Sequence, residues 1–168
     1  TAFATSAVHQ FEGESATGES GSGATSVSNA HCSGGYYVSI DMTSTPADEL
    51  RWTLSNVANY AGQYYRVVVR FVSAPPSNSF AKFRLYDGSS LLYDAPEYRA
   101  LTSGLFQEIG TIQIAPNAAG LTSLADLTLK LTAYNSDNTG SLLIDYLVLL
   151  PTEGLRYVQP TSLVLAAS

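Results

Sequence analysis

Two glutamates near the start of the chain are the first residues whose type and spacing could do chemistry. Glu12 and Glu14 lie two positions apart. In an extended segment, residues at this spacing project from one face, so their carboxylates can converge. Two anions held close together repel each other and raise one pKa, unless a cation lies between them. The spacing therefore predicts either an acid–base dyad or a metal site.

Asp145 is the third acidic residue of interest. It interrupts the apolar run from Leu142 to Leu150, which is typical of a strand buried on both faces. A buried carboxylate is costly unless it is paired or coordinates a metal. Oxygen ligands without His or Cys suit Ca²⁺. Two interpretations stay open: Asp145 binds calcium, or it caps backbone N–H groups or pairs with a distant arginine.

The sequence offers little for nucleophilic catalysis. Its two histidines are His9 and His31, and its only thiol is Cys32. Residues 31 and 32 would point to opposite faces of an extended segment, so they do not form a Cys–His pair. The H-E-x-x-H, G-x-S-x-G, P-loop and G-x-G-x-x-G patterns do not occur. A glycosidase pair of Glu12 and Glu14 is a further hypothesis, but we expect a protein that is not an enzyme.

Composition excludes several classes of partner. The chain has 168 residues, of which 13% are charged, and its net charge is −6. The eight basic residues occur one at a time and none precedes Arg51, so we expect no basic patch and no nucleic-acid binding. The longest apolar run is far shorter than the roughly 20 residues that span a bilayer, so we expect no membrane insertion. A single cysteine cannot form an internal disulfide.

Strands must position these residues, because apolar and polar residues alternate along most of the chain. The segments Glu49 to Ser55, Gln63 to Val72 and Leu127 to Thr132 show this period of two. Trp52 falls on an apolar face and is expected in the core, and Asp87-Gly88 predicts a hairpin turn. About nine or ten such strands, separated by turns, predict an all-β protein built as an antiparallel two-sheet β-sandwich.

Two segments break this pattern. Residues 13–34 are rich in Gly, Ser, Thr and Ala and predict a long loop of the kind that is often functional. The segment after Pro151 contains the apolar stretch Leu163-Val164-Leu165, which must dock on its own sheets or on a partner. We therefore predict a single sandwich domain over residues 1–150 and a C-terminal extension over 151–168.

Four sequence blocks occur in an order that resembles a known family. They are similar to the aromatic-Glu-Ala-Glu, Gly-Gly-Tyr, Gly-x-Tyr and Ile-Asp-Tyr blocks of carbohydrate-binding modules of families 6 and 35, which are jelly rolls of the galactose-binding-like group. The resemblance covers roughly residues 8 to 150. The blocks are Phe11-Glu12-Gly13-Glu14, Ser33-Gly34-Gly35-Tyr36-Tyr37-Val38, Ala61-Gly62-Gln63-Tyr64-Tyr65-Arg66-Val67-Val68-Val69-Arg70 and Leu143-Ile144-Asp145-Tyr146-Leu147.

The resemblance implies a non-catalytic module that binds a glycan or polysaccharide and holds a structural Ca²⁺. It matches Glu12, Glu14 and Asp145 to the calcium ligands of the family, in agreement with the argument from the burial of Asp145. It also implies an extracellular protein, either secreted or displayed on a cell or virion surface.

The family's glycan site is implied as well, with two aromatic rings that flank a sugar and an asparagine nearby. Tyr37 matches the first ring. The family's Gly-x-Trp segment is replaced by Gly104-Leu105-Phe106, so Phe106 is the nearest match to the second ring and Tyr98 is a substitute. Asn138 is the nearest amide. The alternative for Phe106 is an ordinary core residue.

A second function fits the same fold: a structural or adhesive jelly-roll subunit of a virion, tail or surface filament. The insertion Ala74-Pro75-Pro76-Ser77-Asn78 and the apolar C-terminal segment favour it. In that case the extension over residues 151–168 would support self-assembly or attachment to a larger protein.

Overall fold

The computed structural model describes residues 8–18, 25–42, 48–55, 64–114 and 126–152. The extension predicted after Pro151 lies outside these ranges from residue 153 onward, as does part of the predicted long loop, residues 19–24. The described residues form strands and two short 3₁₀ turns. The strands are β1 (His9–Glu12), β2 (Thr17–Gly18), β3 (Thr25–Ser28), β4 (Tyr36–Asp41), β5 (Asp48–Leu54), β6 (Tyr64–Phe71), β7 (Ser79–Asp87), β8 (Ser90–Asp94), β9 (Tyr98–Arg99), β10 (Phe106–Gln113), β11 (Leu127–Asn135) and β12 (Ser141–Thr152).

The strands form two sheets. The first sheet has the order β10-β6-β12-β4-β3, with β1 also paired to β12, and the second has the order β2-β5-β11-β7-β8, with β9 also paired to β7. Every pairing between the described strands is antiparallel. The predicted all-β, antiparallel two-sheet sandwich is confirmed. Among the described residues, no helix is long and apolar enough to cross a membrane.

Alternation along the strands builds the core between the sheets. In β6 the buried residues, which include Tyr65 and Phe71, alternate with half-buried ones. Each fully buried large apolar side chain contributes about 1.5–3 kcal/mol. Trp52 is in this core, as predicted, and is 2% exposed. Its indole N–H donates a hydrogen bond of 2.9 Å to the backbone carbonyl of Glu12, which joins β5 of the second sheet to β1 of the first.

A gap in the pairing of β12 creates the place where the chemically interesting residues meet. One edge of β12 pairs with β4 as far as Ile144 and with β1 from Tyr146 onward. Asp145 lies between these two pairings, and the register of β12 against β6 shifts at the same point. Such an irregularity re-aims a side chain. Each of the two strands that pair with β12 on either side of Asp145 adjoins a 3₁₀ turn: Gly13–Ser15 follows β1, and Ser33–Gly35 precedes β4.

Candidate functional site

The carboxylates of Glu12 and Glu14 both approach Gly34, although Glu14 lies in a 3₁₀ turn and not in the extended segment that the prediction assumed. Gly34 has a φ of +65°, and a Cβ added there would clash with Glu14 Oε1 and lie 3.9 Å from Glu12 Cδ. Both carboxylates therefore approach the backbone of the second 3₁₀ turn. A glycine is required at position 34, since any side chain would be strained and would fill the space that the two carboxylates share.

Each of these glutamates has one oxygen without a compensating contact. Glu12 Oε1 accepts hydrogen bonds from the hydroxyl of Ser33 at 2.7 Å and from Gln10 Nε2 at 3.0 Å. The second oxygen of Glu12 and one oxygen of Glu14 are buried and have no hydrogen-bond partner among the described residues. A buried, unsatisfied acceptor costs about 1–3 kcal/mol, and more when it is charged. Buried carboxylate oxygens of this kind suit a hard cation.

Asp145 is buried, with 1% of its surface exposed, and both of its oxygens are engaged. One accepts a hydrogen bond of 2.9 Å from the backbone N–H of Ser33. The other forms a salt bridge with the guanidinium of Arg70, on β6. The structure therefore shows the second interpretation of Asp145: it caps a backbone N–H and pairs with a distant arginine. This pairing offsets the cost of burying the charge.

The three predicted metal ligands therefore do not all lie together. The structure brings Glu12 and Glu14 together, and it holds Asp145 between Ser33 and Arg70. In the described part of the chain, no group of three or more His, Cys, Asp or Glu side chains lies close enough to hold a metal ion. Metal binding by these three residues stays a prediction.

The Cys32 thiol lies beside this site, where its surroundings disfavour the thiolate. Burial first, and then the negative charge of Asp145, raises the pKa of Cys32, against a lowering by Arg70. A thiol with a raised pKa stays protonated and is a poor nucleophile. That His31 and Cys32 do not form a catalytic pair stays a prediction.

Phe106 is exposed on the outer face of the first sheet, the face that points away from the core. It lies opposite Arg70 in the neighbouring strand, and Arg70 lies opposite Tyr146 in the next. The guanidinium carbon of Arg70 is 5.8 Å from the centre of the Phe106 ring, and the ring centres of Phe106 and Tyr146 are 6.4 Å apart. Phe106 is 62% exposed. The alternative that it is an ordinary core residue is wrong.

Tyr37 shares this outer face. It alternates with buried Val38 on β4 and therefore points away from the core. Three strand spacings separate β4 from β10, so the backbones of Tyr37 and Phe106 are roughly 14 Å apart. The structure places the two predicted rings on one surface and does not bring them into contact.

Tyr98 is not an exposed ring. It packs against the core, burial raises its pKa, and its hydroxyl donates a hydrogen bond of 2.9 Å to the side chain of Gln107. The amide of Gln107 also bonds the backbone N–H and carbonyl of Leu101 at 2.8 Å and the carbonyl of Gly104 at 3.0 Å. Tyr98 and Gln107 therefore fix the loop that precedes Phe106.

Sequence reasoning missed Gln107. The available signal was a polar residue at an inward-facing position of an alternating strand, because Gln107 is 3% exposed. Buried polar side chains in folded proteins are hydrogen-bonded, and the amide of Gln107 meets this requirement through the bonds described above.

Asn138 lies in the turn between β11 and β12, with a φ of +56°. Its backbone N–H donates to the carbonyl of Asn135, and the buried side chain of Asn135 bonds the carbonyl of Ser77 and the N–H of Asp137. These bonds fix the turn. No contact within the described ranges joins the side chain of Asn138 to Phe106 or Tyr37.

Comparison with known proteins supports the fold and leaves the family open. No protein-family model matches the sequence, and a search of curated proteins finds no match. Among solved structures, the C-terminal CBM6 of LamC, a marine laminarinase from Zobellia galactanivorans, is 12% identical over 86% of this chain and 99% of that chain, with a TM-score of 0.54. A carbohydrate-binding module CBM36 in complex with calcium and xylotriose is 14% identical over 83% of this chain and 97% of that chain, with a TM-score of 0.51.

A third match comes from a much larger protein. The insecticidal crystal protein Cry2Aa is 13% identical over 86% of this chain, with a TM-score of 0.58, and this chain spans only 21% of its length. At such low identities the likeness shows the fold alone. The chain has the jelly-roll fold of carbohydrate-binding modules of the family 6 and 35 type.

Proposed function

We propose that the chain is a non-catalytic, extracellular carbohydrate-binding module whose glycan lies on the outer face of the first sheet. One observation carries this proposal: Phe106, the first residue of β10, presents an exposed ring directly after a loop that the buried Gln107 amide fixes. An exposed aromatic ring with fixed geometry is what the apolar C–H face of a sugar needs, because stacking then costs little conformational entropy.

Polar groups around Phe106 supply the remaining contacts of the proposed site. The guanidinium of Arg70 and the ring of Tyr146 lie next to Phe106, where they can bond sugar hydroxyls. Tyr37 extends the site along the same face. Tyr98 acts through Gln107 as a positioning residue, and Asn138 is assigned as the amide at the edge of the site.

The proposal includes a structural Ca²⁺ held by Glu12 and Glu14. Two buried oxygens of these residues that have no hydrogen-bond partner in the described part of the chain support it, as does the calcium complex of a module with the same fold. Asp145 is proposed as the third ligand. Its two oxygens already accept a hydrogen bond from Ser33 and pair with Arg70. For Asp145 to bind calcium, the oxygen that pairs with Arg70 would have to be shared between Arg70 and the ion.

Binding of neutral oligosaccharides tests the glycan site. A glycan array identifies a ligand, and calorimetric titration then compares Phe106→Ala with Leu91→Ala, a matched exposed apolar residue on the second sheet that is 50% exposed. We expect Phe106→Ala to weaken binding at least about tenfold, as for the loss of one stacked ring. The proposal would be contradicted if the chain bound no glycan on the array, with or without calcium. It would also be contradicted if the two variants lost the same amount of glycan affinity.

A second candidate function is the structural or adhesive subunit of a virion, tail or filament. It is favoured by Leu101 and Leu105, which are 59% and 37% exposed in the loop that precedes Phe106 and which suit contact with protein. Sedimentation of the full chain, of Leu101→Ser/Leu105→Ser and of a chain lacking residues 152–168 tests it. An unchanged monomer in all three cases would count against this function.

A further inference from the structure

The outer face of the first sheet is apolar where its central strand, β12, crosses it. The outward residues of β12 from Tyr146 onward include Val148 and Leu150, which are half-buried. Val68 on β6 lies directly opposite Val148 and is half-buried as well. On the other side of β12, continuing the β1 register by one residue brings Val8, which is 60% exposed, next to Leu150. We call Val8, Val68, Val148 and Leu150 the outer patch.

The central strand of the second sheet differs from β12 in this respect. β11 holds the same central position in its sheet, and its outward residues include Thr128, Lys130 and Thr132. An antiparallel strand with one face in water alternates apolar and polar residues in this way, whereas a strand buried on both faces is apolar throughout. β12 has the second pattern, so its sequence predicts a cover over the outer patch.

The two sheets do not supply this cover. Every strand that the structure describes belongs to one of the two sheets, so none of the described strands forms a third layer over the outer patch. From Tyr146 to Leu149, β12 is paired on both edges, with β1 on one side and β6 on the other. A covering segment therefore cannot extend the sheet at this point. It has to pack face-on through its side chains, about 10 Å above the sheet.

The segment that follows β12 has a composition that suits such a layer. β12 ends at Thr152, and residues 153–168 come next, outside the described ranges. Two largely apolar stretches occur among them, 155–158 and 163–167, and their only charged residues are Glu153 and Arg156. Apolar stretches of this kind pack against an apolar surface rather than stay in water.

The position and length of this segment allow it to reach the outer patch. Along β12, Thr152 is roughly 13 Å from Val148 and roughly 20 Å from Tyr146. Residues 153–168 span at most roughly 50 Å when extended, which is enough to rise from the sheet and return along it. Gly154 tolerates the backbone conformations that a reversal of the chain requires.

Tethering favours this segment over a second molecule as the cover. A short flexible connection gives the attached segment an effective concentration on the order of millimolar near the outer patch. A separate chain at micromolar concentration competes poorly with it, unless its contacts are much better.

We propose that residues 153–168 fold back over the first sheet and pack their apolar side chains on the outer patch, as a third layer of the domain. The layer would lie beside Phe106 and Arg70, because Tyr146, which lies opposite Arg70, is two residues from Val148 on the same face. The inference does not depend on the proposed glycan site, since the contact is made within the chain and needs no sugar.

Nuclear magnetic resonance of the full wild-type chain tests this inference without any substitution. We expect nuclear Overhauser contacts between the methyl groups of Val148 and Leu150 and those of Leu155, Leu163 or Leu165. The backbone amides of residues 155–158 should have order parameters of about 0.85, the value of rigid backbone. Order parameters below about 0.6 throughout residues 153–168, with no such methyl contacts, would overturn the inference.

Variants of the full chain identify the surface on which the segment packs. Val148→Thr/Leu150→Thr keeps residue types that suit a strand and makes the outer patch polar, so the order parameters of residues 155–158 should fall below about 0.6. A thermal melt checks that this variant folds. Leu91→Thr, at a 50% exposed position on the second sheet, is the matched control and should leave them unchanged.

A second variant alters only the segment. Leu163→Thr/Leu165→Thr lies outside the described strands and should have the same effect on residues 155–158. The inference is overturned if Val148→Thr/Leu150→Thr leaves the segment ordered, because the segment then packs elsewhere. It is also overturned if the order is lost on dilution while sedimentation shows a dimer dissociating, because a second copy is then the cover.

Discussion

The guanidinium of Arg70 binds the buried carboxylate of Asp145 across the register shift between β12 and β6. The same guanidinium lies over the ring of Phe106, 5.8 Å from its centre. One side chain therefore links the proposed calcium site to the proposed sugar platform. A change at Arg70 should affect both the stability of the fold and the affinity for glycan.

Arg70→Met is expected to lower the free energy of unfolding by about 3 kcal/mol, because it leaves the charge of Asp145 buried without its partner. Urea denaturation measures this loss. Arg66→Met is the control: its ion pair with Glu108 is half-exposed, with side chains 41% and 35% accessible, and such pairs contribute about 1 kcal/mol or less. The double variant Arg70→Met/Asp145→Leu should recover much of the loss, and equal effects of Arg70→Met and Arg66→Met would contradict the role of the buried pair.

Local sequence patterns were sufficient for the sheets and for part of the site. The period of two along β6 and β11 identified the inward-facing residues, and the spacing of Glu12 and Glu14 predicted that their carboxylates converge. The inward-facing residues depend only on the alternation of side chains along an extended chain, so they are visible without knowing which strands are neighbours. Glu14 lies in the 3₁₀ turn Gly13–Ser15, so alternation along a strand does not explain its approach to Glu12.

Features that depend on strand pairing could not be predicted in this way. Arg70 reaches Asp145 from 75 residues away in the sequence, and the row of Arg51, Lys130 and Arg84 exists only because β11 lies between β5 and β7. A single sequence contains no local signal for these long-range registers.

Gln107→Leu is expected to loosen the loop that presents Phe106. The amide of Gln107 bonds Leu101, Gly104 and Tyr98, and its loss leaves buried backbone groups unsatisfied at a cost of about 1–3 kcal/mol. Amide hydrogen exchange at Leu101 should accelerate, and glycan affinity should fall although Phe106 is unchanged. Gln113→Leu, at the far end of β10, is the control. Unaltered exchange at Leu101 in Gln107→Leu would show that Gln107 does not fix this loop.

Calcium is expected to raise the melting temperature, and EDTA to lower it, because an ion that binds only the folded state stabilises that state. In Glu12→Gln/Glu14→Gln the effect should disappear. The same variant should melt higher than the wild type in EDTA, since it removes two close anions that no cation neutralises. Glu108→Gln, on the same sheet, should keep the full response to calcium, and a wild type whose melting temperature does not change with calcium would contradict the site.

Acidification should destabilise the protein partly through His9. Burial lowers the pKa of His9 from its ordinary value of 6.5, and the ring lies edge-on to Tyr65 at 6.0 Å. The folded state therefore binds a proton less readily than the unfolded state, so stability falls as the pH drops through 6.5 toward the lowered pKa, and it is unaffected by His9 above that range. Urea denaturation at a series of pH values measures the slope. His9→Gln should flatten this pH dependence of stability between pH 7 and the lowered pKa. His31→Gln, at an exposed position, is the control and should not flatten it. Equal slopes in the wild type and His9→Gln would show that His9 does not contribute.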